Sequence, residues 1–196
     1  DKEIFEGTTG STVIPAVKNY EGFTAPVGQS VTIKADGSTE VKYYYTRNSY
    51  TFKYVPDNGE DEATYTLKFG VPVPQRDDPV KEGYTFGGWI EKGVAASIPA
   101  TMPGRDVTLT AKWKVNQYTI SFNSNGSSYI APITQDYGTI VSAPADPTRE
   151  GYTFAGWTEN GTPASIPSTM PARNIALTAN WTINQYTISF DSNGGT

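Results

Sequence analysis

The chain contains no cysteine and no histidine. Without thiols there are no disulfides and no thiolate metal sites, and redox chemistry says nothing about the compartment. Without imidazole, the commonest general base and metal ligand is missing. A basic excess is missing too: 15 Lys and Arg stand against 20 Asp and Glu, for a net charge of -5. A mildly acidic chain suits solubility and is a poor match for nucleic acid or an anionic membrane surface. No apolar run approaches the ~18–20 residues needed to cross a bilayer, so no membrane insertion is expected. Asp1-Lys2-Glu3-Ile4-Phe5 has no signal-peptide character. The last residues, Asn193-Gly194-Gly195-Thr196, fall inside a pattern already met upstream, so the chain reads as a segment of a longer protein.

Turn formers and aromatic residues are plentiful. There are 19 Gly and 14 Pro, and 13% of residues are aromatic. Together with many Thr, Tyr, Val and Ile, they predict short strands separated by frequent turns around a real core. No stretch keeps a 3.6-residue apolar period over three turns, so little or no helix is expected.

Self-similarity organises the rest. Gly83-Tyr84-Thr85-Phe86-Gly87-Gly88-Trp89 returns as Gly151-Tyr152-Thr153-Phe154-Ala155-Gly156-Trp157, a shift of 68 residues (151 − 83). The same shift carries Thr101-Met102-Pro103 onto Thr169-Met170-Pro171, and Leu109-Thr110-Ala111-Lys112-Trp113 onto Leu177-Thr178-Ala179-Asn180-Trp181. Laid over each other without a gap, residues 50–117 and 118–185 are identical at 31 of 68 positions, 25 of them in the last 40. The second half of the unit thus carries the shared architecture, and the first half has drifted. Residues 1–49 are related but different. Glu21-Gly22-Phe23-Thr24 echoes Glu82-Gly83-Tyr84-Thr85, and Tyr45 takes the place of Trp113.

Within one unit, Tyr118-Thr119-Ile120-Ser121-Phe122 alternates as a half-buried strand does. Asn125-Gly126 is a hairpin signal, with 129–137 as the return strand. In 151–157, simple alternation puts Tyr152, Phe154 and Gly156 on one side and Thr153 and Ala155 on the other. Residues 165–171 read as a loop, and Ile175, Leu177, Ala179 and Trp181 mark the last strand. Four-residue linkers, 114–117 and 182–185, span at most ~13–14 Å and lack Gly, Pro and Ser, which favours stacked modules with limited swing.

In combination these motifs resemble the Listeria–Bacteroides repeat, the B-repeat type of internalins, over residues 50–196. Residues 1–49, through Gly22-Phe23-Thr24, Asp36-Gly37-Ser38 and 41–48, resemble the later part of a mucin-binding-protein repeat. The resemblance implies a mainly β fold of tandem, small β-grasp-like modules with reduced or absent helix. The expected boundaries are 1–49 for a partial mucin-binding-type module, 50–117 and 118–185 for two repeats, and 186–196 for the first strand of a truncated next repeat. It also implies a non-catalytic, extracellular bacterial surface protein, either a stalk in adhesion or a direct binder of host glycan or protein. No cofactor, metal or nucleic acid partner is expected, and the fragment is expected to be monomeric.

Three groups of residues invite a sharper reading. Trp89, Trp157, Tyr84 and Tyr152 could stack on sugars, but rings recurring at fixed places serve a small module better as core. Tyr84, Phe86, Trp89, Trp113, Tyr152, Phe154, Trp157 and Trp181 are therefore expected to be core residues. Asp57-Asn58-Gly59-Glu60-Asp61-Glu62 could gather oxygens for calcium. Its spacing is not that of a calcium loop and its counterpart at 125–130 has no acid, so a solvated tip is expected. Asp78, Asp146, Glu82 and Glu150 could serve a hydrolase as paired carboxylates. Their duplication in both repeats favours local backbone contacts or pairing with Lys81 and Arg149.

Overall fold

The computed structural model describes residues 3–191, Asn193 and Gly194. Among these there are fourteen strands and no helix. They are β1 (Thr12–Val13), β2 (Phe23–Thr24), β3 (Val31–Thr32), β4 (Thr46–Arg47), β5 (Ser49–Val55), β6 (Ala63–Lys68) and β7 (Tyr84–Glu91). There follow β8 (Val94–Ala96), β9 (Val107–Val115), β10 (Gln117–Asn123), β11 (Ile133–Asp136), β12 (Tyr152–Glu159), β13 (Thr162–Ala164) and β14 (Ile175–Ile183). The chain divides into two compact units, residues 1–79 with 87–112, and residues 80–86 with 113–196.

Each repeat folds into one five-stranded sheet, in the order β6-β5-β9-β7-β8 and β11-β10-β14-β12-β13. First and last long strands lie side by side and parallel, Phe52 opposite Val107 and Ile120 opposite Ile175. A central parallel pair with antiparallel flanks is the β-grasp order, and the fold is mainly β, as expected. A parallel pair needs a long crossover, which a helix usually supplies. Here two extended loops bind each other instead. In the second repeat, Ile140 bridges Thr169, the Val141 amide donates to Ser168 C=O (2.9 Å), and the Met170 amide donates to Thr139 C=O (2.9 Å). The first repeat does the same with Pro72 bridging Thr101 and Met102 donating to Val71 C=O (2.8 Å). Pro-rich loops resist helix, and this mutual pairing satisfies their backbone groups while they cover the sheet.

The buried side chains lie between those loops and the sheet. In the second repeat they are Ile120, Val141, Trp157, Met170, Ile175, Leu177 and Ala179, with Phe154 and Trp181 packed against them. Ile175, Leu177 and Ala179 are successive inward positions of β14, the period of two at work. Phe52, Tyr54, Val73, Trp89, Met102, Val107, Leu109 and Ala111 are buried among the first repeat's residues.

The structure corrects several local expectations. Simple alternation fails in β12, where the register shifts between Phe154 and Trp157. Gly156, at φ 101°, forms the bulge. The extra residue resets the parity, so Trp157 joins Phe154 on the inner face, with their rings 5.3 Å apart. The Asn125-Gly126 turn does not close a tight hairpin, because β11 begins only at Ile133 and the return strand is 133–136 rather than 129–137. The two-residue hairpins are Asn160-Gly161 and Lys92-Gly93, all four at positive φ. The linker is a single residue, Asn116, because β9 runs to Val115 and β10 starts at Gln117. Residues 186–190 are not a strand, and their counterparts in β10 are held by β11 and β14.

Among the described residues up to 49 there are two short ladders, β1 with β3 and β2 with β4. Tyrosine hydroxyls do much of the tying. Tyr43 donates to Pro15 C=O (2.8 Å) and Tyr45 to Lys18 C=O (2.9 Å), while the Tyr45 ring meets Tyr20 edge-on at 4.9 Å.

Candidate functional site

Trp89 and Trp157 are buried, at 6% and 7% exposure, whereas Tyr84, Phe86, Trp113, Tyr152, Phe154 and Trp181 are half-buried. Phe86 lies 5.7 Å from Trp113, and Phe154 5.5 Å from Trp181, in matching edge-on pairs. The Trp181 indole N–H donates to Ser124 C=O (3.1 Å), which explains how a half-buried Trp keeps its polar atom satisfied. The residues missed in the sequence are the methionines. Met102 and Met170, each 1% exposed, plug the space beneath the paired loops. Their recurrence within Thr-Met-Pro was the available signal.

The acidic candidates do not converge. In the 57–62 loop, Glu62 pairs with Lys53, and Glu60 stands 3.8 Å from Arg76. Among the described residues, no three acidic side chains gather as a metal site would require. Asp78, Asp146, Glu82 and Glu150 are all exposed. Lys81 and Arg149 stack on rings: Lys81 Nζ is 4.9 Å from the Tyr84 ring centre, and Arg149 Cζ is 3.9 Å from that of Tyr152. Three carboxylates have strengthened acidity: Asp36, held down by hydrogen bonds from Ser38, and Glu91 and Glu159 in the repeats. Each of the two glutamates accepts a two-pronged hydrogen bond from Arg105 or Arg173, and this holds its carboxyl below the usual carboxylate range. Both pairs are at the surface and repeat at the 68-residue spacing, so they belong to the architecture.

What the sequence motif does build is a recurring contact at the glycine before each aromatic strand. In the first unit, the Asn48 amide donates to Gly22 C=O (2.8 Å) and the Phe69 amide donates to Asn48 C=O (2.9 Å). The Phe69 ring lies edge-on to Phe23 at 5.6 Å and closes over Gly22, where an added Cβ would fall 2.1 Å from its Cγ. In the second unit, Asn116 donates to Gly83 C=O (2.9 Å) and Tyr137 donates to Asn116 C=O (2.9 Å). The Tyr137 ring meets Tyr84 at 5.9 Å and covers Gly83, again 2.1 Å from an added Cβ. Thr85 donates its hydroxyl to Asn116 Oδ1 (2.6 Å), fixing the linker side chain. Gly22 and Gly83 are both buried and at positive φ (77° and 76°), so glycine is required there twice over.

A third copy of this arrangement lies at the end of the second repeat. Asn184 donates to Gly151 C=O (2.9 Å), and the Thr153 hydroxyl donates to Asn184 Oδ1 (2.6 Å). Beside it, Asp146 to Glu150, Tyr152 to Phe154, and Trp181 line an open concavity of about 470 Å³. A second open concavity, of about 780 Å³, is lined by Thr85, residues 114–118 and Asp136. The walls of both mix polar and apolar groups.

Two copies of one sheet, with the same positive-φ glycine before the buried Trp (Gly88 and Gly156), the same buried methionine and the same surface ion pair, define a tandem β-repeat protein. The Listeria–Bacteroides repeat domain matches residues 50–112 and 118–180, and the chain belongs to that family. Two proteins of Evansella cellulosilytica carrying membrane-protein names are 32% and 37% identical, over 76% and 71% of this chain. Internalin H of Listeria monocytogenes is 32% identical over 92% of it. The chain spans only 23%, 17% and 37% of the length of these relatives.

Proposed function

We propose that the chain is a non-catalytic repeat region of a bacterial cell-surface protein, serving as a stalk that holds an adhesive domain away from the wall. One observation carries this reading. The contact that joins a linker asparagine to a glycine and an aromatic ring occurs at both Gly22 and Gly83. A spacer gains stiffness from such repetition, because each single-residue link is pinned on both sides by backbone hydrogen bonds. Family membership and the likeness to internalin H support an extracellular, surface location. The first 49 residues fit a mucin-binding-type module by motif, and host glycan or protein is the partner proposed for them.

Small-angle scattering on chains with one, two and three added copies of 118–185 tests the stalk. The maximum dimension should grow by a constant increment per copy, and a dimension that plateaus would end the stalk reading. The second reading, a direct adhesin, draws on the cleft walled by Arg149, Tyr152 and Trp181, whose rings and charge suit a sugar. Sub-millimolar binding to one sugar class on a glycan array would establish it in place of the stalk.

A further inference from the structure

We propose that Gly151, Tyr152 and Asn184 form a docking socket whose occupant is the aromatic-bearing end of the second strand in a further module of the same repeat. The proposal rests on the tandem reading above and names the partner of one of its surfaces.

The socket is recognised by comparison with its two filled copies. Gly151 has φ 76°, the same as Gly83 and within a degree of Gly22. Its C=O accepts the Asn184 amide just as Gly83 C=O accepts that of Asn116. Thr153 holds Asn184 Oδ1 at 2.6 Å, as Thr85 holds Asn116 Oδ1 at 2.6 Å. The two differ in one respect. At Gly22 and Gly83 an added Cβ would strike an aromatic ring, whereas at Gly151 it meets nothing within 4 Å. Correspondingly, Gly22 and Gly83 are buried and Gly151 is half-buried. In the filled copies, the asparagine C=O accepts an amide from the residue that carries the ring, Phe69 or Tyr137. Among the described residues, Asn184 C=O has no such amide partner.

The chemistry of the occupant follows. It must present an aromatic ring together with its own backbone N–H, both from one residue, so that the ring covers the glycine while the amide reaches the asparagine. It must meet Tyr152 by its edge, as Tyr137 meets Tyr84. The cation on Tyr152 does not obstruct it, since Lys81 sits over Tyr84 in the copy that Tyr137 already fills. A free aromatic ligand would supply the ring but not the amide at the right place. A strand end of the same repeat supplies both.

The test inserts one further copy of residues 118–185 between Gln185 and Tyr186 and follows the glycine Hα resonances, which shift upfield beneath an aromatic ring. In the chain as it stands, Gly22 and Gly83 should be shifted upfield and Gly151 should not. In the extended chain Gly151 should move upfield to match Gly83, and the Asn184-facing amide should gain hydrogen-exchange protection. Replacing the inserted copy's counterpart of Tyr137 by Ala should return Gly151 to its original position while the inserted sheet stays folded by its own amide dispersion. A Gly151 resonance unmoved in an extended chain whose third sheet is folded would overturn the proposal. A Gly151 shift that depends on the concentration of the unextended chain would overturn it in favour of self-association. Neither failure would touch the stalk, since undocked modules still add length in scattering.

Discussion

Gly83→Ala and Gly151→Ala form a matched pair that isolates one ring contact. Both glycines have φ 76°, so a methyl group at either site carries the same left-handed backbone strain, about 1–2 kcal/mol. At Gly151 that is the whole expected cost, because the new methyl meets open space. At Gly83 it would fall 2.1 Å from Tyr137 Cδ1 and 2.2 Å from Cγ, near the root of the side chain rather than its flexible end. The ring must swing away, adding about 1–3 kcal/mol of overpacking and lost edge-on contact with Tyr84. Gly83→Ala should therefore cost about 2–5 kcal/mol against about 1–2 for Gly151→Ala. Urea denaturation of each variant measures the pair. A double-mutant cycle sharpens it: with Tyr137→Ala already present, Gly83→Ala should fall to the cost of Gly151→Ala. Equal costs at the two glycines, or full additivity with Tyr137→Ala, would refute the claim that the ring over Gly83 dictates the residue.

Three further outcomes are expected. Trp157→Ala removes a 7%-exposed indole lying 5.2 Å from Phe122, so a loss of about 3–5 kcal/mol, enough to unfold a small domain, should appear as collapse of the second repeat's amide dispersion. Unchanged melting would reassign that indole to ligand binding. Met170→Ala should cost about 2–5 kcal/mol in urea titrations although the residue sits in a loop, and a cost under about 1 kcal/mol would show the paired loops to be a passive cover. Glu91 and Glu159 have acidities strengthened on folding by Arg105 and Arg173. Their contribution is present above the ordinary carboxylate range and is lost as pH falls through the depressed folded values. The double variant Glu91→Gln, Glu159→Gln should flatten the acid limb of the melting curve, and an unaltered limb would show these surface pairs to be energetically silent.

Much of the sheet was legible because burial imposes a period of two. Ile175, Leu177 and Ala179 mark β14, and Tyr118 to Phe122 mark β10, by alternation alone. Alternation could not reveal the bulge at Gly156, since parity there depends on one backbone angle and not on residue polarity. Nor could it show that Met102 and Met170 are core, because their loops are ordered by each other and not by any local pattern. Asn125-Gly126 misled in a different way. Its turn is real, with Asn125 at φ 50°, but Asn125 C=O receives Arg149 (3.0 Å) and its side chain donates to Ala179 C=O (3.2 Å), so the turn serves long-range contacts instead of closing two strands. The Gly-aromatic-Thr motif was visible from the start, yet its partners Phe69 and Tyr137 were not. They lie in the drifted half of the repeat, and at the 68-residue spacing Phe69 and Tyr137 share only their aromatic character.

The parallel pairing of β10 with β14 bears on how a repeat meets traction. The chain enters β10 at Gln117 and leaves β14 at Ile183, at opposite ends of two strands that run the same way. Drawing those ends apart slides the strands along each other and strains the rungs between Ile120–Asn123 and Ile175–Thr178 together, instead of unzipping them one after another. A repeat built this way should yield late and abruptly when its two ends are drawn apart.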